Sequence, residues 1–202
     1  MTRLGILGGT FDPPHIAHLV IADQAREQLD LEGVLFVPAG QPPHKLDRAM
    51  SSVEQRVAMT HLAVAGDKRF RLSRVDVDRP GPHYTSDMLA LLQAKHPAAE
   101  LYLLIGSDSL RDFMMWHDPA CVIAQARLAV MRRPGAEPDL SGLKVALPGI
   151  TARIHWVDAP WLDVSSTDIQ RRVRAGLSIR YLVTGAVEQY ILEQGLYCSE
   201  PG

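Results

Sequence analysis

At 202 residues the chain is long enough for an α/β domain with a substantial core. Its 21 Lys and Arg against 23 Asp and Glu give a formal net charge of −2, which leaves no electrostatic footprint for nucleic acid. No apolar run approaches the roughly 18 residues that span a bilayer and the N-terminus lacks a signal-peptide pattern, so a soluble, cytoplasmic protein without a membrane partner is expected. The cysteines, Cys121 and Cys198, stand far apart and read as buried or inert thiols rather than a disulfide.

The first predicted strand, Leu4–Leu7, runs into Gly8–His18, which reads GGTFDPPHIAH. Ala22, Ala25 and Leu29 then recur at spacings of three and four, a helical pattern. A glycine-rich turn between strand and helix is where α/β proteins bring backbone N–H groups to phosphates. His15 and His18, three apart, share one face of the first helical turn, at the positive end of the macrodipole. A His-x-x-His pair can also hold a metal, but no Cys or acidic partner stands nearby at ligand spacing. The Gly-Lys-Ser/Thr ending of a P-loop is missing, and two prolines occupy the place of a dinucleotide fingerprint's third glycine. Phosphate chemistry assisted by imidazoles is the reading that remains.

Further strands are expected at Val34–Val37, Leu72–Val77, Leu101–Ile105, Leu128–Met131 and Ile154–Val157. Ser51 or Ser52 can cap a helix running to Ala65, with Glu54 completing a capping box three residues after Ser51. Another helix is expected from near Ser86, with Met88, Leu91 and Leu92 facing inward. Pro134–Gly149 shows no periodicity and reads as a mobile loop. From Ser165 the pattern is helical, with Ser166 or Thr167 as N-cap and Ile169 and Val173 on one face. This alternation predicts an α/β fold, a Rossmann-like doubly wound parallel sheet, over a single domain spanning 1–202, with a small helical piece from about 165 to 202. Ligands of such sheets bind beyond the carboxyl ends of the strands.

GGTFDPPHIAH resembles the His-x-Gly-His signature of the nucleotidyltransferase superfamily, in the longer form of bacterial nicotinate-mononucleotide adenylyltransferases. PPHK at Pro42–Lys45, HYTSDML at His83–Leu89, IGSDSL with Trp116 shortly after, VSSTDI at Val164–Ile169 and a tail reading RYLV…YI…GLY resemble that family in the same order. The resemblance implies transfer of AMP from ATP to nicotinate mononucleotide, giving deamido-NAD and pyrophosphate. Mg²⁺ would be carried by the ATP phosphates, with no protein metal site. His15 and His18 would donate hydrogen bonds to the triphosphate, and Lys45, on a loop stiffened by Pro42 and Pro43, would face a phosphate. Gly8, Gly9, Thr10, Phe11, Gly106 and Asp108 would line the ATP site, Asp108 toward the ribose. Ser165, Ser166 and Thr167 would offer hydroxyls and backbone donors to the phosphates. Tyr84 and Thr85 would take the substrate carboxylate, and Trp116 would stack on the pyridine ring.

Two positions depart from the family pattern. Ala17 replaces the glycine of the signature, adding one methyl group. Gln170 stands where relatives carry an arginine; Arg171 points about 100° away around the helix and Arg174 lies one turn on, roughly on Gln170's face, and which of them, if either, supplies the charge stays open. Two other readings stay open: a superfamily member acting on phosphopantetheine or using CTP, and a nucleotide-binding module without catalysis.

Overall fold

The computed structural model describes residues 2–40, 50–132 and 139–198. Among these, six strands form one sheet: β1 Thr2–Gly9, β2 Gly33–Pro38, β3 Phe70–Leu72, β4 Ala99–Gly106, β5 Ala126–Met131 and β6 Ile154–Val157. Their order is β3-β2-β1-β4-β5-β6, and every neighbouring pair is parallel. Parallel neighbours need crossover connections, which here are helices. The strand order reverses between β1 and β4. In such a sheet a crevice opens at that point, beyond the carboxyl ends of the strands.

Alternate residues of the central strands feed two separate cores, because side chains change face at every step along a strand. Leu4 and Ile6 of β1, Leu35 and Val37 of β2, and Leu101, Leu103 and Ile105 of β4 enter one core with Met88, Leu89, Leu92 and Phe113. Leu7, Val34, Phe36, Tyr102 and Leu104 enter the other, against Ala22, Ala25 and Val64. Burial on both faces explains why these strands read as continuous apolar runs. It contributes about 1.5–3 kcal/mol for each large side chain removed from water.

The third expected strand is shorter than Leu72–Val77. After β3 the chain makes one more ladder bond, from Ser73 N–H to the Phe36 carbonyl, and then turns, with the Val77 and Asp78 N–H groups both donating to the Arg74 carbonyl. The turn buries Val75 and brings the Asp76 carboxylate to the Gly40 N–H. A straight strand could not supply that contact.

Helix α1 spans Ile16–Gln28 and α2 spans Val53–Val64. The capping box of α2 uses Ser52 and Gln55 instead of Ser51 and Glu54: Ser52 Oγ accepts from Gln55 N–H at 3.2 Å, and Gln55 Oε1 accepts from Ser52 N–H at 2.8 Å. Glu54 is taken by Arg74, which donates to both carboxylate oxygens at 2.9 Å. Helix α3, Thr85–Lys95, begins one residue before Ser86; Met88, Leu89 and Leu92 are buried, while Leu91 faces outward at 40% exposure.

Two short helices follow, α4 Ser107–Arg111 and α5 Pro119–Gln125. Part of Pro134–Gly149 is helical, since α6 runs over Ser141–Ala146 and buries Leu143; residues 133–138 lie outside the described residues. Helices α7, Ser166–Arg174, and α8, Gly185–Glu193, build a third apolar cluster. Ile169, Ile179, Val183, Val187 and Ile191 meet there with Met59 and Ala63 of α2. The N-cap of α7 is Ser165, whose Oγ accepts from Asp168 N–H at 3.1 Å, and not Ser166 or Thr167. Cys121 and Cys198 are both free, Cys121 half-buried and Cys198 exposed rather than buried. No helix among the described residues is long and apolar enough to cross a membrane.

Candidate active site

Strand β1 delivers the chain to its histidine segment through a strained turn. Phe11 sits in the left-handed region at φ 51°, a conformation that costs a non-glycine residue roughly 1–2 kcal/mol. Its ring is 2% exposed, tilted against Phe36 at 5.8 Å and edge-on to His18 at 5.0 Å, so packing holds the turn. A Cβ at Gly9 would come within 3.0 Å of the Phe11 ring, whereas one at Gly8 would meet nothing within 4 Å. The strand end therefore faces open space on one side and the aromatic turn on the other.

His15 is the N-cap residue of α1 and His18 the third residue of that helix. Their rings stack, centroids 3.7 Å apart and planes 22° apart. His18 Nδ1 accepts from the His15 N–H at 3.1 Å, which leaves the ring proton on Nε2 as a donor. His15 Nδ1 is buried without a hydrogen-bond partner among the described residues. Burial lowers the His15 pKa from 6.5 to about 4, and burial followed by repulsion from His15 holds His18 well below 6.5. Both imidazoles are therefore neutral near pH 7. Ala17, the departure from the signature, is buried in this first turn.

The segment around the histidines is braced from four directions, mostly by residues with no local sequence signal. Arg56, 1% exposed, donates to the carbonyls of Thr10, Ala39 and Gly40 at 2.7–2.9 Å, tying the end of β1 to the end of β2. Asp12 is buried, with Oδ1 accepting from the Tyr197 hydroxyl at 2.5 Å and Oδ2 from Ser51 N–H at 3.2 Å. Ser166 Oγ donates to the Pro13 carbonyl at 2.8 Å, and Ile16 N–H to the Leu182 carbonyl at 2.8 Å. Gln170 Nε2 donates to the Asp12 carbonyl at 2.7 Å. The N-terminus of α7 is thus fastened against the histidine segment.

Gln170 also meets its neighbour: Arg174 Nη2 donates to Gln170 Oε1 at 3.3 Å from an exposed position. Arg171 is turned to Asp168 at 2.6 Å. Ser165 and Thr167 are exposed at the same helix end.

A cleft of about 510 Å³, open to solvent, lies at the switch point of the sheet. It is lined by Gly8 and Gly9 from β1, Tyr84 and Thr85 from the start of α3, and Trp116. Leu103, Leu104 and Ile105 of β4 contribute its apolar floor, and Val37, Ala39, Asp76, His83 and Met88 complete the lining. Trp116 leans on Phe113, ring centroids 5.2 Å apart, and Tyr84 stacks on His117 at 3.8 Å. Gly106 ends β4 and caps α4, placing Asp108 in the first turn of that helix, half-buried and 3.7 Å from Arg111. Lys45 lies outside the described residues. Of the residues lining the cleft, Asp76 belongs to no motif; strand order and the turn after β3 bring it there.

Among the described residues no group of three or more His, Cys, Asp or Glu is arranged to hold a metal ion.

A cytidylyltransferase-like family model matches residues 6–172. A probable nicotinate-nucleotide adenylyltransferase of Thermomicrobium roseum is 47% identical over 197 residues, covering 98% of this chain and 92% of that protein. One from Roseiflexus sp. is 43% identical over 194 residues, covering 96% and 97%. The Plasmodium falciparum nicotinic acid mononucleotide adenylyltransferase complexed with NaAD superposes with a TM-score of 0.77 over 98% of both chains at 20% identity, a likeness of fold.

Proposed function

The chain belongs to the cytidylyltransferase-like family, among its nicotinate-nucleotide adenylyltransferases, and from that membership we propose that it transfers AMP from ATP to nicotinate mononucleotide. The products are nicotinate adenine dinucleotide, or deamido-NAD, and pyrophosphate, a step of NAD biosynthesis. The observation that carries this reading is the pair of neutral, stacked histidines at the N-terminus of α1, on the segment that follows Gly8 and Gly9, which line a cleft with Trp116 and the first turn of α3.

The nucleophile is a phosphate monoester oxygen. Its second pKa is about 6, so it is mostly ionised at neutral pH and needs no general base. It attacks the α-phosphorus of ATP; the new P–O bond forms as the bond to the bridging oxygen breaks, and pyrophosphate leaves with the electron pair. The barrier is the repulsion of two anions and the charge gathering on the leaving group, which positioned donors relieve. Neutral His15 and His18 supply N–H donors at a helix N-terminus whose dipole adds in the same sense. Their desolvation makes those donors stronger toward an anion than they would be in water.

The remaining assignments follow the family resemblance. Thr10 and Phe11 belong to the turn that approaches ATP, together with Gly8, Gly9, Gly106 and Asp108. Ser165, Ser166, Thr167 and Arg174 stand at the phosphate end, and Lys45 at the phosphate of the acceptor. Tyr84, Thr85 and Trp116 take the pyridine ring and its carboxylate. Magnesium would enter with ATP as the Mg-ATP substrate, held by the phosphates, and would neutralise part of the triphosphate charge. The packing of α7 and α8 on α2 supports one catalytic unit over residues 1–202. Incubation with Mg-ATP and nicotinate mononucleotide should release pyrophosphate and deamido-NAD in equal amounts. Failure to release either would overturn the assignment.

A further inference from the structure

Three separate segments meet at the end of the cleft that holds Tyr84 and Thr85: Gly40 after β2, the Asp76–Arg79 turn after β3, and the Pro82–Tyr84 entry to α3. Arg79 joins the last two. Its Nε donates to Asp76 Oδ1 at 2.9 Å and Nη2 approaches the same carboxylate at 2.7 Å. Nη1 donates to the Pro82 carbonyl at 2.7 Å and Nη2 to the Tyr84 carbonyl at 3.1 Å. Asp87 Oδ2 lies 3.6 Å away on the outer side. The Arg79 side chain is only 12% exposed.

Asp76 carries the connection onward. Its Oδ2 accepts from the Gly40 N–H at 3.1 Å and faces His83 Nδ1 at 3.5 Å, a buried nitrogen with no other partner among the described residues. A Cβ at Gly40 would collide with the His83 ring, so these pieces are in van der Waals contact as well as hydrogen-bonded.

We propose that Arg79 is a positioning residue for substrate selectivity: by clamping the Pro82 and Tyr84 carbonyls against Asp76, it aims the first N–H groups of α3 into the cleft and sets the preference for a pyridine carboxylate over the corresponding carboxamide. This rests on the adenylyltransferase reading above.

The physical reason lies in how the charges balance. Nε, Nη1 and Nη2 of Arg79 each donate to protein groups, and its charge is compensated by Asp76, with Asp87 3.6 Å away. It is therefore neither free to bind the substrate carboxylate directly nor a net positive field at that end. Among the described residues, what distinguishes acid from amide is the direction of the first helix N–H groups at Thr85 and its neighbours, which have no partner within the helix. A carboxylate offers acceptors on both oxygens, whereas an amide turns an NH₂ donor toward one of those N–H groups. Discrimination of this kind depends on aim, and Tyr84, the N-cap of α3, is held by Arg79 through its carbonyl.

The test is the ratio of kcat/KM for nicotinate mononucleotide to that for nicotinamide mononucleotide. Arg79→Lys keeps the charge but not the planar fork, so it cannot hold both carbonyls and Asp76 together. It should lower the ratio about tenfold or more, through the acid substrate, while the KM for Mg-ATP stays within about twofold. A merely structural role would weaken both pyridine substrates alike and leave the ratio unchanged; that result overturns the proposal. Should Arg79→Lys fail to fold, as read by thermal unfolding, His83→Ala takes its place. Removing the ring frees Asp76 to shift and should lower the ratio about threefold, and an unchanged ratio there is equally contradictory. Lack of turnover on nicotinate mononucleotide by the unmodified protein would count against the function itself, whereas turnover with an unmoved ratio in the variants counts against Arg79 alone.

Discussion

His15 and His18 lie face to face at the start of α1, ring centroids 3.7 Å apart, with the Nδ1 of the second ring tied to the backbone of the first. Stacked neutral imidazoles at a helix N-terminus form a donor pair suited to charge that develops during reaction. Replacing either by alanine should lower kcat by about a hundredfold to a thousandfold, or roughly 3–4 kcal/mol, while ATP affinity changes far less. Steady-state kinetics alongside equilibrium nucleotide binding checks this. Near-normal turnover in both variants would remove the proposed role.

The same burial has a consequence for stability. The His15 pKa is about 4 in the folded, ligand-free protein and about 6.5 in an exposed chain, so the unfolded state takes up the proton first as pH falls. Its contribution is intact above about pH 6.5 and is lost as pH falls through that window toward 4, an effect of about 3 kcal/mol in the limit. His18 is shifted in the same direction. Denaturant unfolding of the protein and of His15→Gln, which does not titrate, should show the unmodified protein losing ground to the variant as pH falls from about 7 to about 5. A difference that stays constant with pH would contradict the burial of a neutral His15.

Arg174 touches Gln170, while Arg171 is held by Asp168. Arg174→Ala should therefore raise the KM for ATP or depress kcat about tenfold, the scale of one charge-assisted contact, and Arg171→Ala should do less. Kinetics with ATP as the varied substrate decides between them. If both variants match the unmodified enzyme, neither arginine replaces the charge missing at Gln170.

Tyr197 lies at the far end of the chain from Asp12, yet its hydroxyl donates to the buried carboxylate at 2.5 Å. Burial, then the Asp12 charge, pushes the Tyr197 pKa well above the ordinary tyrosine range, so the hydroxyl stays protonated as a donor. Tyr197→Phe leaves a buried carboxylate oxygen short of a partner and should cost about 1–3 kcal/mol of stability. Chemical denaturation measures it, and a loss under about 0.5 kcal/mol would mean that Asp12 is satisfied some other way.

What was legible in the sequence is what is local. The strands from Leu4, Val34, Leu101, Leu128 and Ile154 declared themselves because both faces are buried, and the histidine segment because glycine, proline and histidine each have few reasons to occur together. The strand expected through Val77 misled because Val75 is apolar but packs from a turn that Asp76 requires. The capping box fell one residue late because Arg74, 20 positions away, claims Glu54. Arg56 left no signal, since the carbonyls it gathers lie 16 to 46 residues from it. The bracing of Asp12 by Gln170 and Tyr197 was illegible for the same reason: it spans 158 and 185 residues and exists only once α7 and the C-terminal segment dock.

Joining ATP to a pyridine mononucleotide that bears a carboxylate is tested by kcat/KM at saturating Mg-ATP for nicotinate mononucleotide, nicotinamide mononucleotide and phosphopantetheine, with pyrophosphate as the readout. The acid should turn over at least about tenfold better than the amide, or about 1.4 kcal/mol, and phosphopantetheine not at all. Equal values for acid and amide, or pyrophosphate released with phosphopantetheine instead, would contradict it.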